Sequence, residues 1–304
     1  MAGPGTLWVV GSLNMDIVVA VARHPRPGET VLGSNYATYP GGKGGNQAVA
    51  AAKLGCPVVM VGQVGSDGFG QELLTSLHAA GVTTEQVRQV PGPSGVALIT
   101  VNAAGENTIV VSPGANAHWD PLPALPGGVG MVLLQLEIPL PVVEQVVRQA
   151  HSQGIPVLLN PAPVQELPAA VWAGVKFLVV NEHEAAYLAG LPTDTEGQAL
   201  VAARQLRSRL SADGTVIVTL GERGCVWSSP EREGYRAAYS VPVVDTTAAG
   251  DAFCGAFAVG WLETGSLISA LEMASAVAAL SVTRPGAQPS LPTRLELADF
   301  LGDP

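Results

Sequence analysis

Short apolar runs rich in β-branched residues recur at Leu7–Val10, Val58–Val64, Val132–Leu136, Val157–Leu159, Phe177–Val180 and Val216–Leu220. Each is nearly continuous rather than alternating, the pattern of a strand buried on both faces within a parallel sheet. Between them, stretches with helical periodicity stop at glycines: Asn46–Leu54 before Gly55, Gly70–Ala80 before Gly81, and Val142–Gln153 before Gly154. A glycine there supplies the left-handed residue that ends a helix. Three further helices are predicted at about Asp251–Glu263, Ser266–Val282 and Arg294–Leu301, with no Ser/Gly-rich or charged linker before them. The alternation predicts one doubly wound α/β domain spanning residues 1–304.

Two segments break this pattern. Asp16–Tyr39 is strand-like but interrupted by His24-Pro25-Arg26-Pro27-Gly28, and Gly95–Val111 reads as a hairpin whose arms, Val96–Val101 and Thr108–Val111, flank NAAGEN. Their polar, alternating character predicts a small antiparallel sheet standing off the main one, either a lid over a site or a surface excursion. No internal repeat or low-complexity tract is visible.

Composition narrows the class. With 47% apolar and 13% charged residues, the 304-residue chain can bury a large core and is neither disordered nor collagen-like. A formal charge of −10 argues against an extended footprint on nucleic acid and against an anionic membrane as partner. Cys56, Cys225 and Cys254 lie far apart in apolar segments, so neither a disulfide framework nor a zinc site is expected. That fits a reducing, cytoplasmic setting. The N-terminal segment reaches Asn14 and Asp16 before any signal-length apolar run develops, and no stretch approaches the roughly 18 apolar residues of a membrane span.

Among candidate chemistries, the strongest local signal is Val244-Asp245-Thr246-Thr247-Ala248-Ala249-Gly250-Asp251, leading into an apolar helix pattern. Small residues at a helix start expose its first amides, which with the helix dipole bind an anion such as phosphate. Asp251 is then either a helix cap or the carboxylate that orients a hydroxyl and accepts its proton beside a transferring phosphoryl group. A second signal is Pro40-Gly41-Gly42-Lys43-Gly44-Gly45-Asn46-Gln47, superficially similar to a Walker loop but lacking Ser or Thr after the lysine. Its glycines read either as a flexible turn or as a loop that lets the backbone approach a ligand, with Lys43 and Asn46 as donors. Lys43 is one of only three lysines, the others being Lys53 and Lys176.

Asn14 and Asp16, two apart after the first strand, share one face of an extended segment and suit neighbouring hydroxyls, although such residues also form turns. Glu137 closes the strand at Val132–Leu136. Asn160, Asn181 with Glu184, and Thr219 with Gly221 stand at other strand ends, where open α/β sheets gather ligands. Glu184 is suited to hold Mg²⁺ through water. Arg284–Ser290 reads as an ordinary loop whose carbonyls and Ser290 hydroxyl suit a weakly hydrated cation.

Taken together, GSLNMD, RPGET, GGKGGNQAVAAAKLG, GENTIVVSPGAN, LLQLEIPL, LNPAP, NEHEA, VTLGERG, VDTTAAGDAFCGAF and TRPGAQPSLP resemble, in order and spacing, the PfkB family of carbohydrate kinases. The full set is most similar to members that act on D-ribose. The resemblance implies a ribokinase-like three-layer α/β/α fold, with a mainly parallel central sheet and a small β-sheet lid formed by segments at about 14–39 and 95–112, which joins two subunits in a homodimer. It implies transfer of a phosphoryl group from ATP to the 5-hydroxyl of D-ribose. Asn14, Asp16, Gly42, Lys43, Asn46 and Glu137 would hold the sugar, Asp251 would act as base, and Ala248, Ala249 and Gly250 would form the anion hole. Asn181 would meet nucleotide phosphate, Glu184 would help organise Mg²⁺, Thr219, Gly221 and Gly224 would border the nucleotide, and Ser275 would lie near the adenine. Asp245, Thr247, Ser281, Arg284, Gly286 and Ser290 match the family's site for an activating K⁺, several through backbone carbonyls. Thr247 and Ser281 are polar where that site often carries apolar residues.

Rival readings are the same chemistry on 2-deoxyribose, another sugar or a nucleoside, and a sugar-binding regulator without catalysis. The intact Asp251 run argues against the regulator. A nicotinamide dehydrogenase is disfavoured because GSLNMD stands where a GxGxxG turn is required.

Overall fold

In β1 (Thr6–Val10), Leu7 and Val9 enter one buried cluster while Trp8 and Val10 enter another on the opposite face. The same division recurs in β4 (Val58–Gly65), β8 (Val129–Leu134), β9 (Val157–Leu159), β10 (Phe177–Asn181) and β11 (Thr215–Thr219). A strand with two apolar faces needs cover on both. In the computed structural model, which describes residues 5–119 and 124–302, helices supply it. Five lie on one face: α1 (Lys43–Lys53), α2 (Gly68–Ala79), α7 (Ala249–Thr264), α8 (Leu267–Ser281) and α9 (Arg294–Leu301). The other face carries α3 (Leu140–Ser152), α4 (Ala169–Gly174), α5 (Glu182–Ala189) and α6 (Glu196–Arg207). The result is the three-layer α/β/α arrangement the sequence implies. None of the described helices is long and apolar enough to cross a membrane.

With β5 (Thr83–Val90), β12 (Cys225–Ser228) and β13 (Glu233–Arg236), the main sheet has nine strands among the described residues, in the order β13-β12-β11-β10-β9-β8-β1-β4-β5. Every neighbouring pair is parallel except β11–β12 and β12–β13. The chain leaves β1 toward β4 and β5, then returns to add β8 on the other side. That reversal opens a crevice beyond the carboxyl ends of β1 and β8, where ligands of such sheets bind.

The smaller sheet has the order β3-β2-β6-β7, built from β2 (Asn14–Ala20), β3 (Ala37–Gly41), β6 (Gly95–Val101) and β7 (Asn107–Ser112). It corrects the expectation of a wholly antiparallel sheet, because β2 and β6 pair in parallel. The reason is topological. β2 follows β1 and β6 follows β5, and β1, β4 and β5 run the same way in the main sheet, so both excursions leave the same edge in one direction.

Close approach of α1 to α7 sets the site. A Cβ at Gly255 would lie 2.7 Å from both Ala50 Cβ and the Gln47 carbonyl oxygen. Only glycine admits that separation, so Gly255→Ala is expected to lower stability by about 1–3 kcal/mol through overpacking, read as a reduced urea midpoint. Gly197→Ala in α6, where no atom lies within 4 Å of the added Cβ, is the control and should be neutral or slightly stabilising.

Candidate active site

The glycine-rich segment is not a loop, which corrects the sequence reading. α1 begins at Lys43, three residues before the expected Asn46, so Lys43, Gly44 and Gly45 form its first turn. The sequence hides this start because Gly42, at the N-cap, offers no side-chain cap. Distant groups satisfy the first amides instead: Lys43 N donates to Glu137 Oε2 (3.1 Å), Gly44 N to Ser12 Oγ (3.4 Å) and Gly45 N to the Ser12 carbonyl (3.0 Å). A side chain at Gly44 would meet Gly11 and Ser12 backbone at 2.7 Å, so this glycine serves the packing of the helix against the connection between β1 and β2.

Glu137 lies three residues beyond β8 rather than at its end. Its Oε2 also accepts from Ser12 Oγ (2.5 Å) and Asn14 Nδ2 (3.2 Å). Asn14 is held in turn by Asn116, whose Nδ2 donates to Asn14 Oδ1 (2.8 Å) and whose Oδ1 accepts from Leu13 N (3.0 Å). Asn14 and Asp16 occupy alternate positions of β2 and line one cavity together.

That cavity, about 660 Å³, is also lined by Gly42, Lys43, Asn46, Glu137, Asp251 and the small-sheet residues Val18, Ala97, Ile99 and Ile109. A second cavity of about 200 Å³ is lined by Asn160, Asn181, Glu184, Thr219, Ala249 and Gly250. Lys43, Thr246, Ala248 and Asp251 border both. A carboxylate and an ammonium thus stand where the two spaces meet.

Asp251 is the third residue of α7 and is 6% exposed. Its Oδ2 accepts from Asn46 Nδ2 (3.0 Å) and its Oδ1 from Gln47 Nε2 (2.9 Å). Ala248, at φ 61°, is the only non-glycine at positive φ among the described residues. That conformation costs roughly 1–2 kcal/mol and turns the chain sharply into the helix. The Ala249 amide donates to the Thr246 carbonyl (3.2 Å), while the following amides of the first turn have no intrahelical partner. Of the expected anion hole, therefore, one amide is already engaged within the turn.

Asn181 and Glu184 form a reciprocal capping box at the start of α5: Asn181 Oδ1 accepts from Glu184 N (2.8 Å) and Glu184 Oε2 from Asn181 N (2.9 Å). Both nevertheless line the smaller cavity. Gly221, Gly224 and Ser275 line neither cavity. Gly221 and Gly224 flank the turn between β11 and β12, and Ser275 lies buried in α8.

Asp245 anchors the loop before α7. Its Oδ1 accepts from Thr247 N (2.9 Å) and Thr247 Oγ1 (2.6 Å), and its Oδ2 from Gly286 N (2.8 Å). Asp245, Thr247 and Gly286 border the larger cavity, but Ser281, Arg284 and Ser290 do not. Ser281 Oγ and Ser290 Oγ donate to the carbonyls of Ala278 and Ala287, and Arg284 pairs with Glu296 at 2.8 Å. Lys53 reaches the same loop from the end of α1, donating to the carbonyls of Gln288 and Leu291, both at 2.9 Å.

Burial, with neighbouring charges and hydrogen bonds, shifts the titrations. Burial, then Glu137 and Asp251, push Asp16 up to about 7, against a smaller lowering by Lys43. Burial also raises Asp251, opposed by Lys43, Asn46 and Gln47. Glu184 is raised mainly by burial. Burial opposes the Lys43 ammonium, yet Asp251, Glu137 and Glu184 together hold its pKa above the ordinary lysine value. Burial acts against the Asp245 carboxylate, but its hydrogen bonds to Thr247 and Gly286 outweigh that and lower its pKa.

Sequence reasoning missed Ser12, Gln47, Asn116 and Gln135. Gln47 and Gln135 carried a usable signal, being single polar residues in the apolar runs QAVAAA and VLLQL, where a buried amide must find partners.

Comparison with known proteins places these features. The model of the pfkB family carbohydrate kinases matches residues 5–294. The ribokinase of Bacillus subtilis is 41% identical over 96% of this chain and 98% of its own. The deoxyribokinase of Salmonella typhi is 37% identical over 96% of this chain and 97% of its own. The solved ribokinase of Arabidopsis thaliana, complexed with ribose and ATP, superposes with a TM-score of 0.89 at 34% identity, covering 98% and 99% of the two chains.

The Asp16 shift has a stability consequence. Its carboxyl binds a proton more tightly folded than unfolded, so stability falls as pH rises from 3.8 to about 7. Asp16→Asn removes that loss. It should melt above the parent protein at pH 8, by an amount on the order of a few kcal/mol, and the difference should vanish near pH 4 in melting curves without ligand.

Proposed function

The chain belongs to the PfkB family of carbohydrate kinases, and on that premise we propose that it transfers the γ-phosphoryl group of ATP to the 5-hydroxyl of D-ribose, giving D-ribose 5-phosphate and ADP. The observation that carries this reading is Asp251 at the junction of two cavities, one rich in hydroxyl-binding groups and one bordered by strand ends and helix N-termini. Relatives named ribokinase, and the ribose- and ATP-bound plant enzyme, support the substrates.

In this mechanism Asn14, Asp16, Gly42, Lys43, Asn46 and Glu137 bind the sugar in the larger cavity. Asp251 accepts the proton of the 5-hydroxyl as that oxygen forms its bond to the γ-phosphorus and the bond to ADP breaks. A carboxylate raised by burial is a better proton acceptor than a solvated one. Free amides at the start of α7, among Ala248, Ala249 and Gly250, and the Lys43 ammonium hold the charge of the moving phosphoryl group. Asn181 and Thr219 border the nucleotide phosphates. Gly221, Gly224 and Ser275 serve the base end only if the nucleotide extends beyond the smaller cavity.

Mg²⁺ fits this site as a companion of ATP. No group of three or more His, Cys, Asp or Glu side chains among the described residues is placed to hold a metal ion, so phosphate oxygens and water would complete its coordination. When bound it neutralises phosphate charge, and Glu184 would hold it through water. The two loops that meet through Asp245 and Gly286, one before α7 and one after α8, fit a monovalent cation such as K⁺. Its partly buried Asp245 favours the ionised form and has no Lys or Arg partner among the described residues. Such an ion would steady the turn through Ala248. A homodimer through the small sheet is supported by Leu98 and Val110, which pair across its strands and are 50% and 66% exposed. A cytoplasmic site of action suits three free cysteines and these substrates.

Asp251→Asn is expected to lower turnover by roughly 10²- to 10⁴-fold with ribose binding retained by calorimetry; near-normal turnover would sink the assignment. In an ADP-release assay, ribose should exceed 2-deoxyribose in kcat/KM and K⁺ should exceed Na⁺ as activator. A preference for deoxyribose leaves the chemistry standing and transfers the acceptor.

A further inference from the structure

Gln47 is fully buried and lines neither cavity, yet it is bonded directly to Asp251. Its Nε2 donates to Asp251 Oδ1 at 2.9 Å and to Asn160 Oδ1 at 3.3 Å, and its Oε1 accepts from Gln135 Nε2 at 2.6 Å. Asn160 is itself tied to the carbonyl of Val179 at 3.0 Å. A side-chain amide can turn over, and one turned over here would set its oxygen against a carboxylate. The bond from Gln135 opposes that flip by engaging Oε1, so it favours the donor side facing the acid.

Gln135 in turn depends on a missing side chain. A Cβ at Gly11 would stand 1.9 Å from Gln135 Oε1, so only glycine at the end of β1 leaves room for this amide. Gln135 Oε1 has no hydrogen-bond partner among the protein groups, although the residue is completely buried. A buried acceptor left unpaired destabilises a fold, and rules of packing are broken in this way mainly where function is served. The row therefore runs Gly11, Gln135, Gln47, Asp251, with each member fixing the next.

We infer that Gln47, keyed by Gln135, is the positioning residue of Asp251, holding the plane of its carboxylate so that the free lone pair meets the sugar hydroxyl. Asn46 grips the other oxygen but also borders the sugar cavity, so its loss confounds binding with orientation. Gln47 separates the two. The inference rests on the reading of Asp251 as base.

The test is steady-state kinetics of ribose phosphorylation on Gln47→Met, Gln135→Met and the double variant, each first checked for folding by thermal melting. Methionine keeps the length and removes the donor. Gln47→Met should lose roughly 10- to 100-fold in kcat, as for a misplaced catalytic group, with KM for ribose within about twofold of the parent. Gln135→Met should lose less, and the double variant should be no worse than Gln47→Met alone, because the two act in series. An unchanged kcat in folded Gln47→Met, a loss confined to KM, or additive losses in the double variant would each overturn the proposal. If Gln47→Met does not fold, Gln135→Met carries the test, with a kcat-only loss expected and an unchanged kcat refuting it. Asp251→Asn in the same assay distinguishes failure of positioning from failure of the base assignment, since only the latter leaves that variant active.

Discussion

The burial of one carboxylate constrains much of this molecule. Asp251 sits inside the protein at the start of α7, where an ionised group without partners is costly. Two amides from α1 and the Lys43 ammonium make the burial tolerable. Those partners reach it only because α1 and α7 lie unusually close, which the glycine at 255 and the alanines opposite permit. The packing of two helices and the electrostatics of the site are therefore one arrangement.

That arrangement extends outward by shared hydrogen bonds. Glu137 Oε2 serves Ser12, Asn14 and the first amide of α1 at once, so one carboxylate joins the end of β1, the root of the small sheet and the helix that carries Lys43. Asp245 performs the matching task on the other side, linking the turn before α7 to Gly286 in the loop after α8. Between these two anchors lie the strained turn at Ala248 and the junction of the cavities. Carboxylates are buried there against what stability favours, and the upward shifts of Asp16, Asp251 and Glu184, each driven first by burial, are the physical sign of it. Binding sites commonly exchange stability for function in this way.

The small sheet owes its mixed pairing to the main one. Because β2 and β6 continue the parallel strands β1 and β5, the sheet stands over the crevice they border, with Val18, Ala97 and Ile99 toward the larger cavity and Leu98 turned the other way. Alternation along each strand then gives a cover with one face to the site and one to solvent.

Much of this was legible in the sequence. The buried strands announced themselves as continuous apolar runs, α9 was bounded correctly at Arg294–Leu301, and the residues gathered around the larger cavity were recognisable from their motifs. Such features depend on local pattern, which the chain carries in itself. What the sequence could not decide depended on groups far apart along it. The start of α1 was misplaced because its caps come from Ser12 and Glu137, 94 residues away in the latter case. The parallel pairing of β2 with β6 was invisible because it follows from the order of strands in another sheet. Gln47 and Gln135 stood out only as polar residues in apolar surroundings, and folding alone, by setting Gly11, β8, α1 and α7 side by side, determined which groups satisfy them and that Asp251 is one.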